Sequence, residues 1–226
     1  MKATRAEAVR WIVDKAAGRV ESGGVVAIVR LADYSQAVPM VEALLDGGID
    51  VVEFTYTNPQ AGTAIERVKT ALGDRIVVGA GTVLDPETAR AAILQGADLV
   101  VTPTLRLETI TLCRRYGIPT VIGAFSPTEI LTAWECGATF VKVFPAGTVG
   151  PRYLKDVRGP LPQVPLIPTG GVTLENAGEF IGAGARAIAV GSNLVDAETV
   201  AAEQWSVLTS RAEAFITAVR NARLTL

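Results

Sequence analysis

Apolar residues along the chain come in short β-rich blocks, each preceded by a stretch where they recur at helical spacing. Glycine marks the junctions. Leu45-Asp46-Gly47-Gly48 precedes the block 49–54, Gln95-Gly96 precedes 97–101, and Tyr116-Gly117 precedes 118–122. Cys136-Gly137 and Ala183-Gly184 do the same for 138–142 and 185–190. A glycine just past a helix supplies the left-handed conformation that ends it. Blocks 25–30, 75–79 and 164–168 bring the predicted strands to eight, each followed by a helical pattern. Asp85 before Pro86, Ser126 before Pro127 and Thr173 before Leu174 are the expected helix caps. Near-continuous Val/Ile blocks are the strands of a parallel sheet covered on both faces. Eight such units of roughly 20–25 residues predict an α/β protein, a (β/α)8 TIM barrel. An open doubly wound sheet is the alternative, but no Gly-x-Gly-x-x-Gly turn follows the first strand. Thr4 to Val20 reads as an extra amphipathic helix. The expectation is therefore one domain, 1–226, with residues 1–24 as an N-terminal helical extension.

Composition narrows the chemistry. With 226 residues, 49% of them hydrophobic, the chain can bury a large core. A net charge of -2 and a pI near 5.3 argue against nucleic acid or an anionic membrane as partner. The apolar runs are too short to span a bilayer. Residues 1–24 carry Glu7, Asp14 and Glu21 and do not read as a signal peptide, so a cytoplasmic protein is expected. Cys113 and Cys136 fit neither a disulfide framework nor a zinc motif. The chain has no histidine, which excludes a Ser-His-Asp triad, a His-based zinc site and a histidine general base. No metal and no cofactor are expected.

Against that background Lys142 stands out, in the apolar run Phe140-Val141-Lys142-Val143-Phe144-Pro145-Ala146. Burial disfavours the charged form of an amine, and a neutral buried amine attacks carbonyls to give a Schiff base. The alternative is a strand-end lysine that snorkels its ammonium to water. In a (β/α)8 barrel, chemistry sits at the C-terminal ends of the strands. This chain places there Arg30, Glu53 with Thr55 and Thr57, Gly81-Thr82, Thr102-Pro103-Thr104, Lys142, Thr169-Gly170-Gly171 and Gly191-Ser192-Asn193. Period-two alternation puts Glu53 on a face with Val51, and Lys142 on a face with Phe140 and Phe144. If both faces point inward, a carboxylate and an amine share the barrel mouth. A structural salt bridge from Glu53 to Lys142 or Arg30 is the competing reading, though buried pairs seldom stabilise on balance. The glycines after strands seven and eight fit a phosphate cradle, in which backbone N–H groups approach an anion.

The motifs Val52-Glu53-Phe54-Thr55, Gly79-Ala80-Gly81-Thr82-Val83, Lys142-Val143-Phe144-Pro145-Ala146, Pro168-Thr169-Gly170-Gly171-Val172 and Val190-Gly191-Ser192 follow one another in order. Together they resemble the class I 2-keto-3-deoxy-6-phosphogluconate (KDPG) / 4-hydroxy-2-oxoglutarate aldolases, over nearly the whole chain from Val25 to about Val219. The resemblance implies Lys142 as the Schiff-base lysine and Glu53 as the general acid/base. It implies Thr82 near the keto-acid carboxylate, Pro103 lining that pocket, and Phe144 and Arg30 at the site. It implies Gly170, Gly171, Gly191 and Ser192 as the phosphate cradle, with Thr169 tied to stereochemical preference at C4. The implied reaction cleaves KDPG to pyruvate and glyceraldehyde 3-phosphate, or 4-hydroxy-2-oxoglutarate to pyruvate and glyoxylate. A cytoplasmic homotrimer without a metal is also implied.

The chain departs from the family pattern at Thr57, where many members carry an arginine that contacts substrate. It departs also at Thr102-Pro103-Thr104, where Ser-Pro-Gly is common, and at Gly123-Ala124-Phe125, where Pro-Gly is common. Two rival readings stand beside the aldolase: a phosphate-binding barrel of another class, such as an isomerase or a thiamine-phosphate-synthase-like enzyme, and a non-catalytic trimeric scaffold.

Overall fold

The computed structural model describes residues 15–225. Eight parallel strands run β1 (Val25–Val29), β2 (Val51–Thr55), β3 (Val77–Gly81), β4 (Leu99–Val101), β5 (Thr120–Ala124), β6 (Phe140–Val143), β7 (Leu166–Pro168) and β8 (Ile188–Val190). Each neighbours the next in sequence, and β1 pairs with β8. A bridge between Thr169 and Ala189 and a hydrogen bond from Arg186 N–H to the Leu166 carbonyl (2.9 Å) close the ring. The result is the predicted (β/α)8 barrel.

Helices wrap the outside: α2 (Ala37–Asp46), α3 (Ala61–Leu72), α4 (Pro86–Leu94), α5 (Leu107–Tyr116), α6 (Pro127–Glu135), α7 (Gly150–Arg158), α8 (Leu174–Gly182), α9 (Ala197–Ala201) and α10 (Trp205–Leu224). The predicted caps are in place. Asp85 accepts from Thr88 N–H, Ser126 forms a capping box with Glu129, and Thr173 N–H donates to Asn176 Oδ1.

Several strands begin about two residues later than the apolar pattern suggests, and the reason is the helix ends. The residue after each closing glycine still donates back into the helix it has left. Ile49, Ala97, Ile118, Ala138 and Ala185 bond the carbonyls of Leu44, Ala92, Cys113, Ala133 and Phe180 at 2.9–3.0 Å. The glycines between them, Gly48, Gly96, Gly117, Gly137 and Gly184, all have positive φ. This six-to-one closure captures the first apolar residue of each block for the turn. At the other end, β1 stops at Val29, so Arg30 lies just past the strand.

Alternation sorts the strands into two apolar layers. Val25, Ala27, Val29, Val52, Phe54, Val78 and Ala80 face the helices, whereas Val26, Ile28, Val51, Val77, Leu99, Val121, Phe140 and Ile167 fill the barrel. Residues 15–23 are helical, forming α1. Ala16 and Val20 of α1 are buried in the inner layer, so the helix closes the N-terminal mouth of the barrel. Of the helix expected over Thr4 to Val20, the part up to Asp14 lies outside the described residues.

Tyr56 and Trp134 lie against the core. Phe125 does not. It follows β5 at the surface, 40% exposed, and stacks on Tyr153 of α7, whose hydroxyl donates to the Phe125 carbonyl. Cys113 is a buried free thiol whose pKa burial pushes up to about 12, and Cys136 is half-buried against the core.

Candidate active site

Glu53 follows Val51 by two positions on β2, and Lys142 follows Phe140 by two on β6, so both point into the barrel. In a ring of eight strands β2 and β6 are four apart, which sets the two side chains across the axis from one another. Glu53 is 2% exposed and Lys142 4%. Burial is the main force on each. It raises the Glu53 carboxyl above the ordinary range, against the opposing charges of Lys142 and Arg30. It lowers the Lys142 ammonium, helped by Arg30 and resisted by Glu53. No ion pair within 4.0 Å joins Glu53 to Lys142 or Arg30 among the described residues. The structural salt bridge weighed from the sequence does not form. Instead, two buried titratable groups sense each other's charge while remaining free to react.

Space for Glu53 comes from glycine. A Cβ at Gly81 would stand 2.8 Å from Glu53 Oε1, and one at Gly79 would stand 3.3 Å from Glu53 Cβ. Beside Lys142, Gly123 pairs in register on β5. A Cβ there would fall 2.2 Å from the Pro103 carbonyl carbon, so Gly123 is what lets the β4–α5 loop settle over the mouth. Thr102, fully buried, fixes that loop: its hydroxyl accepts from Gly123 N–H (3.1 Å) and donates to the Thr104 carbonyl (2.7 Å).

A cavity of about 230 Å³ opens above Lys142. Arg30, Lys142, Phe144, Thr169, Gly170, Gly171, Gly191 and Ser192 all line it, as the motifs led one to expect. The Phe144 ring sits 5.2 Å from Lys142 Nζ. Thr57, Thr82 and Pro103 are not on its wall. They follow β2, β3 and β4, on the arc of the mouth facing away from the β6–β1 side where the cavity lies, and Glu53 of β2 is not on the wall either. Thr57 is exposed, its hydroxyl 3.0 Å from that of Thr55. Thr82 holds φ 57, a left-handed conformation that is strained for a β-branched residue.

The far wall of the cavity is a backbone surface. The carbonyls of Thr169 and Gly170 accept from Ala146 N–H (2.8 Å) and Gly147 N–H (2.7 Å). Those of Gly171 and Val172 accept from Asn176 Nδ2 (2.9 Å) and Asn193 Nδ2 (2.8 Å). By contrast, the N–H groups of Gly170, Gly171, Val172, Gly191, Ser192 and Asn193 have no partner among the described residues. All six residues line the cavity, and α8 begins at the same wall. Orphaned amides beside a helix N-terminus are a ready anion site. Asn176 escaped the sequence reading as a site residue, and Asn193 appeared there only as part of the Gly191-Ser192-Asn193 strand end, with no role of its own. The one trace of Asn176 was its position three residues after the cap Thr173.

Comparison with known proteins gives the family. The family model for KDPG and KHG aldolase matches residues 17–210. The chain belongs to that family. Its members are lyases. The 2-dehydro-3-deoxy-6-phosphogalactonate aldolase of Escherichia coli is 36% identical over 198 residues, covering 87% of this chain and 95% of the relative. The 2-dehydro-3-deoxy-phosphogluconate aldolase of Treponema pallidum is also 36% identical, over 82% of this chain and 89% of its own. Among solved structures, Legionella pneumophila KDPG aldolase, with pyruvate captured as a covalent carbinolamine, superposes with a TM-score of 0.83. It shares 29% identity and covers 88% of this chain and 97% of that one.

Within this aldolase family frame, Gly191 offers a clean perturbation. No heavy atom lies within 4 Å of a Cβ built there, and its φ is not left-handed. Gly191→Val should therefore fold normally, within about 1 kcal/mol of wild type, while its side chain enters the end of the cavity lined by unpartnered amides. The expected result is a KM for a phosphorylated substrate raised about tenfold or more, some 1.4 kcal/mol, with Lys142 still reactive toward pyruvate. Steady-state kinetics and thermal melts check it; an unchanged KM would remove Gly191 from the site.

Proposed function

We propose that this chain is a class I aldolase that cleaves a 2-keto-3-deoxy-6-phospho sugar acid to pyruvate and glyceraldehyde 3-phosphate. The observation that carries the reading is the buried Lys142, its amine driven toward the neutral form, which senses the charge of Glu53 within the barrel and lines a cavity that ends in unpaired backbone amides. KDPG is the substrate expected from the sequence. Its C4 epimer, the phosphogalactonate, gives the same two products and is the substrate named for an equally similar relative. 4-Hydroxy-2-oxoglutarate, which lacks the phosphate, is the secondary substrate.

Chemically, neutral Lys142 Nζ attacks the C2 ketone and forms a C–N bond, giving a carbinolamine. Glu53 delivers a proton to the departing oxygen, water leaves, and a protonated imine remains. Glu53, directly or through a water, then takes the proton of the C4 hydroxyl. The C3–C4 bond breaks, and its electron pair flows into the imine to give an enamine, while C4 leaves as the aldehyde. Protonation at C3 and addition of water release pyruvate and restore the amine. Every step moves protons and electron pairs only, with no change of oxidation state beyond the aldol cleavage itself.

The phosphate would sit against Gly170, Gly171, Val172, Gly191 and Ser192, with Arg30 contributing positive charge on the same wall. The keto-acid carboxylate would lie toward Thr82 and Pro103 on the other arc, and Thr57 replaces an arginine there. Thr169, at the junction of the two halves, is placed to sense the C4 configuration. On the same reading the protein works as a cytoplasmic homotrimer. An isomerase-like barrel could use the amide wall but has no use for an inward lysine opposite a glutamate.

Borohydride reduction with pyruvate, followed by intact mass and peptide mapping, tests the proposal. A reduced pyruvate adduct on Lys142 is expected. A folded protein that gains no adduct would mark a scaffold, not an aldolase.

A further inference from the structure

We infer that Asn176 is a positioning residue for the anion end of the site: its side-chain amide aims the Val172 N–H of the β7–α8 loop. The inference rests on the phosphate-subsite reading above and extends it to a residue that does not line the cavity.

A trans peptide holds its carbonyl and the following N–H in opposite directions. Whatever captures one therefore orients the other. Along this loop, Ala146 N–H holds the Thr169 carbonyl and so directs the Gly170 N–H; Gly147 N–H holds the Gly170 carbonyl and directs the Gly171 N–H. These two anchors are backbone and come with the fold. The third peptide has no backbone anchor. Its carbonyl, Gly171 O, is held by Asn176 Nδ2 at 2.9 Å, and its N–H belongs to Val172. Asn176 is engaged at both ends, because its Oδ1 accepts from Thr173 N–H at 2.8 Å. The peptide carrying that Thr173 N–H is pinned in turn at its carbonyl, Val172 O, by Asn193 Nδ2 from the β8–α9 loop at 2.8 Å.

Freedom in the loop makes these anchors necessary. Gly170 and Gly171 have φ +80 and +78, and with no Cβ either peptide can turn at small steric cost. Released from Asn176, the Gly171–Val172 peptide can rotate. That rotation would replace an N–H donor at the cavity wall with a carbonyl oxygen, which repels an anion. Asparagine is suited to the position because it offers an acceptor for the helix cap and a donor for the loop in one side chain.

The experiment compares wild type, Asn176→Ala and Asn176→Asp on a phosphorylated substrate, on 4-hydroxy-2-oxoglutarate and in pyruvate trapping. Asn176→Asp keeps the capping oxygen and loses only the donor; Asn176→Ala loses both but adds no charge. Both variants should raise KM for the phosphorylated substrate, and Ki for inorganic phosphate as competitor, about tenfold or more. Both should trap pyruvate on Lys142 at a rate within twofold of wild type. A thermal melt should show the cap lost in Asn176→Ala and retained in Asn176→Asp. Unchanged phosphate affinity in Asn176→Ala would overturn the inference, as would parallel losses in phosphate affinity and pyruvate trapping. If wild type itself does not distinguish phosphorylated from non-phosphorylated substrate and ignores inorganic phosphate, the phosphate-subsite reading fails and the inference falls with it.

Discussion

Lys142→Met is expected to leave a folded barrel with no aldol cleavage. Methionine approximates the length and volume of the lysine and removes a buried amine that gains no hydrogen bond or ion pair within the described chain. Exchanging a buried charge for an apolar side chain is often neutral for stability. The melting temperature should therefore stay within about 4 °C of wild type, roughly 1 kcal/mol for a domain of this size. Catalysis is another matter, because without Nζ no imine forms and C3–C4 cleavage has no electron sink. Removing a covalent nucleophile costs on the order of 10⁴-fold or more in turnover, about 5.5 kcal/mol of transition-state stabilisation. Turnover within tenfold of wild type, or a borohydride-trapped adduct elsewhere on the chain, would assign the chemistry to another group.

Glu53→Gln should lower turnover by about 10²- to 10⁴-fold, the usual contribution of a general acid/base, and it should also move the pH profile. The amine must be neutral to attack, so imine formation rises with pH as Lys142 loses its proton, below the ordinary lysine range. Glu53's negative charge favours the ammonium and holds that pKa up against burial. Glutamine removes the charge, the ammonium becomes less stable, and the rising limb shifts to lower pH. Arg30→Ala should shift it the other way, because Arg30 disfavours the ammonium. Because Glu53 and Lys142 titrate as a coupled pair, the limbs report macroscopic values. The direction of each shift, read from pyruvate trapping rates against pH, is the decisive quantity. A limb that moves upward in Glu53→Gln would contradict the electrostatic picture.

Much of the site was legible because barrel strands translate sequence parity directly into direction. Lys142 and Glu53 each lie two positions from an apolar residue, so alternation put each on that residue's face, and the barrel makes that face the inner one. The glycines after strands seven and eight, read from their place in the loops, fall on the wall of unpartnered amides. Legibility failed where side chains reach between loops. Asn193 bonds a carbonyl 21 residues away, and no periodicity announces such a contact. Thr57, Thr82 and Pro103 sit just past strand ends as expected, on another arc of the mouth from the cavity wall. Strand starts were read early because the helix ends claim the first residue after each glycine, a hydrogen-bonding competition that hydropathy does not register.

Local pattern was enough for the eight-fold alternation of strand and helix, the caps at Asp85, Ser126 and Thr173, and the faces that Lys142 shares with Phe140 and Glu53 with Val51. Each depends on neighbours within a few residues, where steric and hydrogen-bonding preferences are short-ranged. Ring closure through Thr169 and Ala189 decided the rest. It set β2 opposite β6, so that burial and mutual charge act on Glu53 and Lys142 together. It also brought the loops after β7 and β8 side by side, and so left six amides without a partner around one cavity. Desolvation and long-range pairing arise only when distant segments meet, and for that reason they belong to the folded barrel and not to any stretch of its sequence.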